Sequence, residues 1–120
     1  MKIAVTSQNK YEITGHAGMC RKFWIYEINE GQVLVKTLLE LPKEQSFHES
    51  SPHEPHPLDE IQVLIAGEMG INLIQRLERK GIEAIITSTK DPDQAVTAYL
   101  DGSLERLAPD PNHHGHGSNC

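Results

Sequence analysis

The sequence predicts a mixed α/β domain, and three observations carry that reading. Short apolar runs rich in β-branched residues recur along the chain, at residues 2–6, 23–28, 32–41, 61–66 and 82–87. Two stretches with helical spacing follow the last two runs. The connection between the second and third runs, Asn29-Glu30-Gly31, is so short that it predicts an antiparallel hairpin. The order β-β-β then β-α-β-α predicts a mixed five-stranded sheet, with the strand–helix–strand unit of residues 61–87 parallel and right-handed. A length of 120 residues predicts one domain with a real core.

Each element has a local reason. Residues 2–6 read as a short buried strand, and Ser7-Gln8-Asn9-Lys10 is turn chemistry. In the third strand Val33, Val35 and Thr37 mark one face, while Leu34 and Leu38 complicate the alternation. Pro42 ends it. Residues 42–57 carry four prolines and three histidines without periodicity and predict a mobile loop. Residues 57–60 open a very short helix, and residues 61–66 form a nearly all-apolar strand. The first helix runs to about Lys80. Ile71, Leu73, Ile74 and Leu77 form its inner stripe, Arg76, Arg79 and Lys80 suit its C-terminal end, and Gly81 lies just past it. Asp91 caps the second helix, Pro92 fits its first position, and Gln94 completes a capping-box variant. Ala95, Val96, Tyr99 and Leu100 face inward, and Gly102 ends the helix. Residues 109–120 have no hydrophobic anchor and predict a disordered tail.

Composition excludes several function classes. A net charge of −6 argues against nucleic acid and anionic membrane surfaces. No apolar run is long enough for a membrane span, and the first residues turn polar too soon for a signal peptide, which predicts a cytoplasmic protein. There Cys20 and Cys120 point to thiol or metal chemistry rather than a disulfide.

The chemistry gathers in a few places. His16 sits between Gly15 and Gly18, four residues before Cys20, in a turn between two strands. An imidazole and a thiol held on a turn suit a transition-metal species. The tail adds His113, His114, His116 and Cys120, a His/Cys tract of metal-binding composition. His48, His53 and His56 read equally well as ligands or as a solvated loop. None of these spacings forms a closed structural zinc site. Gly67, Glu68, Met69 and Gly70 lie between a strand and a helix, where backbone N–H groups can hold an anion. They lack the lysine and spacing of a P-loop and form no dinucleotide fingerprint. No serine–histidine–acid order and no compact carboxylate pair stands out, so the chain reads as a non-enzyme.

The ordered set Met1-Lys2-Ile3-Ala4-Val5, His16-Ala17-Gly18, Phe23-Trp24-Ile25-Tyr26-Glu27-Ile28, Val63-Leu64-Ile65-Ala66-Gly67-Glu68-Met69-Gly70, Gly81-Ile82-Glu83-Ala84 and Ala95-Val96-Thr97-Ala98-Tyr99-Leu100-Asp101-Gly102 resembles the dinitrogenase iron–molybdenum cofactor biosynthesis family, of the NifX/NafY type. The resemblance covers nearly all of residues 1–107. It implies a ribonuclease-H-like three-layer fold without nuclease activity. It also implies carriage or storage of a metal–sulfur cluster, the iron–molybdenum cofactor or a precursor, by a metallochaperone of nitrogen fixation. His16 matches the histidine of the family's His-Phe-Gly turn, with Ala17 replacing the phenylalanine, and is the implied cluster ligand. Residues 67–70 match a glycine-rich family loop, with Glu68 replacing a small residue.

The expectations are therefore a domain at 1–107 and a flexible metal-binding tail at 108–120. Cofactor contacts are expected from His16, Gly18, Cys20, Gly67, Glu68, Met69 and Gly70, and metal ligands from His16, Cys20, His113, His114, His116 and Cys120. The cargo is an Fe-Mo-S type cluster; the alternative is a simple Zn, Ni or Cu ion-binding module. Donor and acceptor proteins of the metallocofactor are the expected partners, and the chain is expected as a monomer or weak homodimer.

Overall fold

The computed structural model describes residues 1–13, 15, 17–18, 20–47, 49–50 and 55–108. His16, Met19, His48, His53 and the tail from Pro109, with His113, His114, His116 and Cys120, lie outside the described residues.

Strand β1 (Lys2–Thr6) sits at the centre of a five-stranded sheet. On one side it pairs antiparallel with β2 (Lys22–Asn29), which pairs antiparallel with β3 (Gln32–Glu40). On the other it runs parallel to β4 (Val63–Ala66), which runs parallel to β5 (Glu83–Ile86). The sheet order is β3-β2-β1-β4-β5, a mixed sheet as the element order predicts. Glu30 and Gly31 both have positive φ (54° and 77°), which gives the β2–β3 turn the twist a two-residue hairpin needs.

Alternation along β1 divides the core. Ile3 and Val5 point to one face with Tyr26, Val63, Ile65 and Ile85, and are covered by Ala95 and Val96 of helix α2 (Pro92–Asp101). Ala4 points to the other with Phe23, Leu64 and Ala66, and is covered by Leu77 of helix α1 (Ile71–Arg79). One helix per face makes three layers. Each fully buried aliphatic side chain contributes about 1.5–3 kcal/mol.

The caps follow the sequence. The Asp91 carboxylate accepts from the backbone N–H groups of Asp93 and Gln94, Pro92 opens α2, and Gly102 ends it in the left-handed region (φ 83°). A hydrogen-bond network that runs from the buried Tyr26 out to the surface fixes the start of α2 to the sheet. The Tyr26 hydroxyl donates to Asp93 at 2.6 Å, Lys36 donates to the same oxygen at 2.9 Å, and the Lys36 ammonium lies 4.3 Å above the Trp24 ring. These bonds hold the Asp93 carboxyl below the usual carboxylate range, the Tyr26 bond most of all. Beyond α2 the chain returns to the sheet, where Leu107 donates to the Ile86 carbonyl at 2.7 Å.

Two expectations are corrected. The described part of residues 42–57 is packed against the domain rather than a mobile loop. It contains a 3-10 turn at Lys43–Gln45, and Ser46, Phe47 and His56 are buried. Phe47 is what the polar composition concealed. Its ring stacks on His56 (centroids 4.9 Å, 15°) and meets Phe23 edge-on at 6.1 Å. Arg76 stands in the last turn of α1, as expected, and does more there than face the helix dipole. It is buried and donates to the carbonyls of Phe47 (2.9 Å) and Ser50 (3.3 Å) and to the Ser50 hydroxyl (2.9 Å), strapping the loop to α1. Secondly, Ile71 is exposed, because the first helical residue stands at the loop rather than over the sheet.

His56 is structural. Its Nδ1 accepts from the Leu58 N–H (3.0 Å), and its Nε2–H donates to the Gln45 carbonyl (2.6 Å). In return the Asp59 carboxylate accepts from the His56 N–H, completing a capping box on the 3-10 turn Pro57–Glu60. Both ring nitrogens are committed in the neutral tautomer, and burial lowers the imidazole pKa. This favours the structural reading of His56 over the ligand one.

Candidate functional site

The three parallel strands β1, β4 and β5 end on the same side of the sheet. From β1 the chain moves outward to β2 and β3, then crosses back to β4 and moves outward the other way to β5. That reversal between β1 and β4 is where open α/β sheets leave a crevice beyond the strand ends. Two glycine-containing loops meet there. The loop after β1 carries the turn at residues 15–20, and the loop after β4 carries residues 67–70. The Ala17 N–H donates to the Glu68 carbonyl at 3.3 Å, joining them. A third loop, residues 87–91 after β5, is tied in by the Ile13 N–H donating to the Lys90 carbonyl at 2.8 Å.

The floor of the site is dry. Ala17, Cys20 and Met69 belong to one core cluster with Phe23, Leu64 and Ala66, and Gly18 is buried beside them. The wall is polar. Thr6 and Ser7 are fully buried at the end of β1, and Ser7 is pinned by its N–H to the Lys22 carbonyl (2.9 Å) and its hydroxyl to the Glu12 carbonyl (2.8 Å). Thr87 donates its N–H to the Ala66 carbonyl, and its hydroxyl is 3.3 Å from that of Thr89. The N-terminal, positive end of the α1 dipole lies at this loop, and Gly70 at the N-cap offers no side-chain acceptor to the first N–H groups.

The structure brings the sequence-predicted residues Gly18, Cys20, Gly67, Glu68, Met69 and Gly70 onto these two adjoining loops. Their exposure differs. Cys20 is 1 % exposed and its thiol donates to the Lys22 carbonyl at 3.0 Å. Met69 is also in the core, whereas Gly67, Glu68 and Gly70 are half-buried. His16 lies outside the described residues, as do the four tail ligands. Among the described residues, no three His, Cys, Asp or Glu side chains gather to hold a metal ion. What the two loops offer is backbone and shape.

Sequence reasoning missed the third loop and the arginine beside Cys20. The Arg21 N–H donates to the Gln8 side chain (2.9 Å) and its Nε–H to the Leu41 carbonyl (2.9 Å). The available signal was positional, since every strand end in a parallel set faces the same crevice.

Comparison with known proteins agrees with this architecture. A curated, uncharacterised protein of Methanocaldococcus jannaschii is 26 % identical over 109 residues, covering 89 % of this chain and 92 % of the relative. A solved structure from the same organism, described provisionally as a dinitrogenase, superposes with a TM-score of 0.69 at 16 % identity, covering 92 % of this chain and 97 % of the other. The apo form of the orange protein from Desulfovibrio gigas gives 0.63 at 18 % identity, over 90 % and 93 %. At these identities the solved structures speak for the fold. The sequence model of the dinitrogenase iron-molybdenum cofactor family matches residues 1–102. The chain belongs to the dinitrogenase iron-molybdenum cofactor family.

Proposed function

We propose that this protein binds and carries, or stores, a metal–sulfur cluster of the iron–molybdenum type, or its precursor, without catalysing a reaction on it. Family membership ties the chain to the biosynthesis of that cofactor. The observation that carries the finer reading is the Ala17–Glu68 contact, which joins two glycine loops over an apolar floor at the reversal of the sheet. Glycine loops let the backbone approach a bulky cargo closely, and the uncapped start of α1 favours a negatively charged one.

In this reading His16 is the cluster ligand. Cys20 joins it only after its thiol leaves the Lys22 carbonyl and loses its proton, so loading releases protons and weakens as imidazole protonates, below about pH 6. The His/Cys tail at 108–120 captures or shields metal, and the cargo passes to and from partner proteins in the cytoplasm. Among the described residues no helix is long and apolar enough to cross a membrane.

The test is the metal and acid-labile sulfide content of tag-free protein purified without oxygen. Iron or molybdenum with sulfide, lost in the His16→Ala, Cys20→Ala variant, supports the proposal. Retention of the cluster by that variant overturns the site. Zinc, nickel or copper without sulfide, lost when residues 109–120 are removed, replaces cluster carriage with ion binding by the tail.

A further inference from the structure

Arg21 is anchored by two backbone hydrogen bonds and by one from its side chain. Its N–H donates to Gln8, its carbonyl accepts from the Leu41 N–H (2.7 Å), and its Nε–H donates to the Leu41 carbonyl. Fixing such a side chain costs roughly 2 kcal/mol of rotamer entropy. Yet the terminal nitrogens of its guanidinium make no hydrogen bond to any described residue. Two other arginines differ: the Arg76 guanidinium donates to Phe47 and Ser50, and that of Arg106 to Glu83.

Arg21 lines a cleft of about 230 Å3 together with Gln8, Lys22, Glu40 and Leu41. The second cation, Lys22, stands 3.8 Å from the Glu40 carboxylate, beyond hydrogen-bond length. That pair balances its own charge, so Arg21 leaves the cleft net positive on a protein of charge −6. A pre-oriented guanidinium offers two parallel N–H donors, the geometry that grips an oxyanion bidentately.

We propose that this cleft is an oxyanion site for a small tetrahedral dianion, gripped by the terminal nitrogens of Arg21 and supported by the Lys22 ammonium. The cleft opens at the root of the loop that carries Cys20. It is independent of cluster carriage, because a free anion needs neither His16 nor the tail.

The test is a titration of the full chain with inorganic phosphate at constant ionic strength, followed by nitrogen–proton NMR. The expected result is saturable shifts of the Arg21 Nε–H and of the Gln8 and Leu41 amides, with α2 amides unmoved. Arg21→Gln weakens binding about tenfold or more, as loss of a charge-assisted pair implies. Arg21→Lys, which keeps the charge and loses the fork, weakens it as well. Glu40→Gln strengthens it, and Arg79→Gln on the far end of α1 leaves it unchanged. Non-saturating shifts, or equal losses in Arg21→Gln and Arg79→Gln, overturn the site in favour of general charge screening. Molybdate, with the same shape and charge, identifies the source: tighter binding than phosphate marks a metal oxyanion, and weaker binding marks phosphate, and both support the site.

Discussion

Replacing His56 with alanine tests whether the 42–60 connection is held as described. The change removes the acceptor for the Leu58 N–H, worth about 1 kcal/mol as an N-cap. It leaves the Gln45 carbonyl without its donor, about 1 kcal/mol more, and strips the ring from Phe47, again about 1 kcal/mol. The expected loss is about 3 kcal/mol near pH 7.5, or roughly 10 °C in Tm for a domain of this size. Burial lowers the folded-state pKa, so below about pH 6.5 the unfolded chain takes up a proton that the folded one refuses. The contribution of His56 is therefore full above that pH and declines as pH falls toward the lowered value. The charged groups facing the ring are Arg76 and Lys80, which lower its pKa, and Asp59, which raises it. Urea melts of wild type and variant at pH 7.5 and 5.5 read this directly. Subtracting one from the other cancels the other histidines. The gap narrows at pH 5.5. A gap under 1 kcal/mol at pH 7.5, or one unchanged by pH, refutes the reasoning.

Three other outcomes are expected. In a Cys120→Ser background, Cys20 of the cargo-free protein reacts with a disulfide reagent on the order of a hundredfold slower than an exposed thiol, because it is buried and bonded to Lys22; immediate full labelling contradicts this. Tyr26→Phe costs about 1 kcal/mol at neutral pH and lets the Asp93 pKa rise. Since the Asp93 pair stabilises above the ordinary carboxylate pKa and is lost as pH falls through the lowered one, the variant loses less on acidification, as acid melts and a carboxyl titration by NMR show. Leu34→Lys, at a residue 62 % exposed on the edge strand, shifts stability by no more than about 0.5 kcal/mol and reduces aggregation on heating, measured by light scattering.

What could be read from the sequence was what is local. The α2 caps are written in Asp91, Pro92 and Gly102, and the hairpin in Glu30-Gly31, because the neighbours that satisfy them lie a few residues away. The broken alternation at Leu34 was legible too. The register skips it, pairing Val33 with Ile28 and Val35 with Glu27, so Leu34 is the extra residue of a bulge. Arg76 and Phe47 were not legible. Helical spacing places Arg76 among polar neighbours, and only a loop 26–29 residues earlier supplies the carbonyls that bury it. Phe47 is one apolar residue in a polar stretch, and its partners come from β2, α1 and the segment at His56. For the site, the sequence named both loops, but not that they touch: the Ala17–Glu68 bond depends on β1 and β4 lying side by side.

That adjacency has a thermodynamic consequence. The three loops come from the beginning, middle and end of the domain, and the backbone bonds Ala17–Glu68 and Ile13–Lys90 link them at the strand ends. Anything seated across them acts as a cross-link between distant parts of the chain. By mass action, a ligand at a hundred times its Kd adds about 2.7 kcal/mol to the stability of the whole domain. Loading is then visible as a rise in Tm, without any change in the secondary structure.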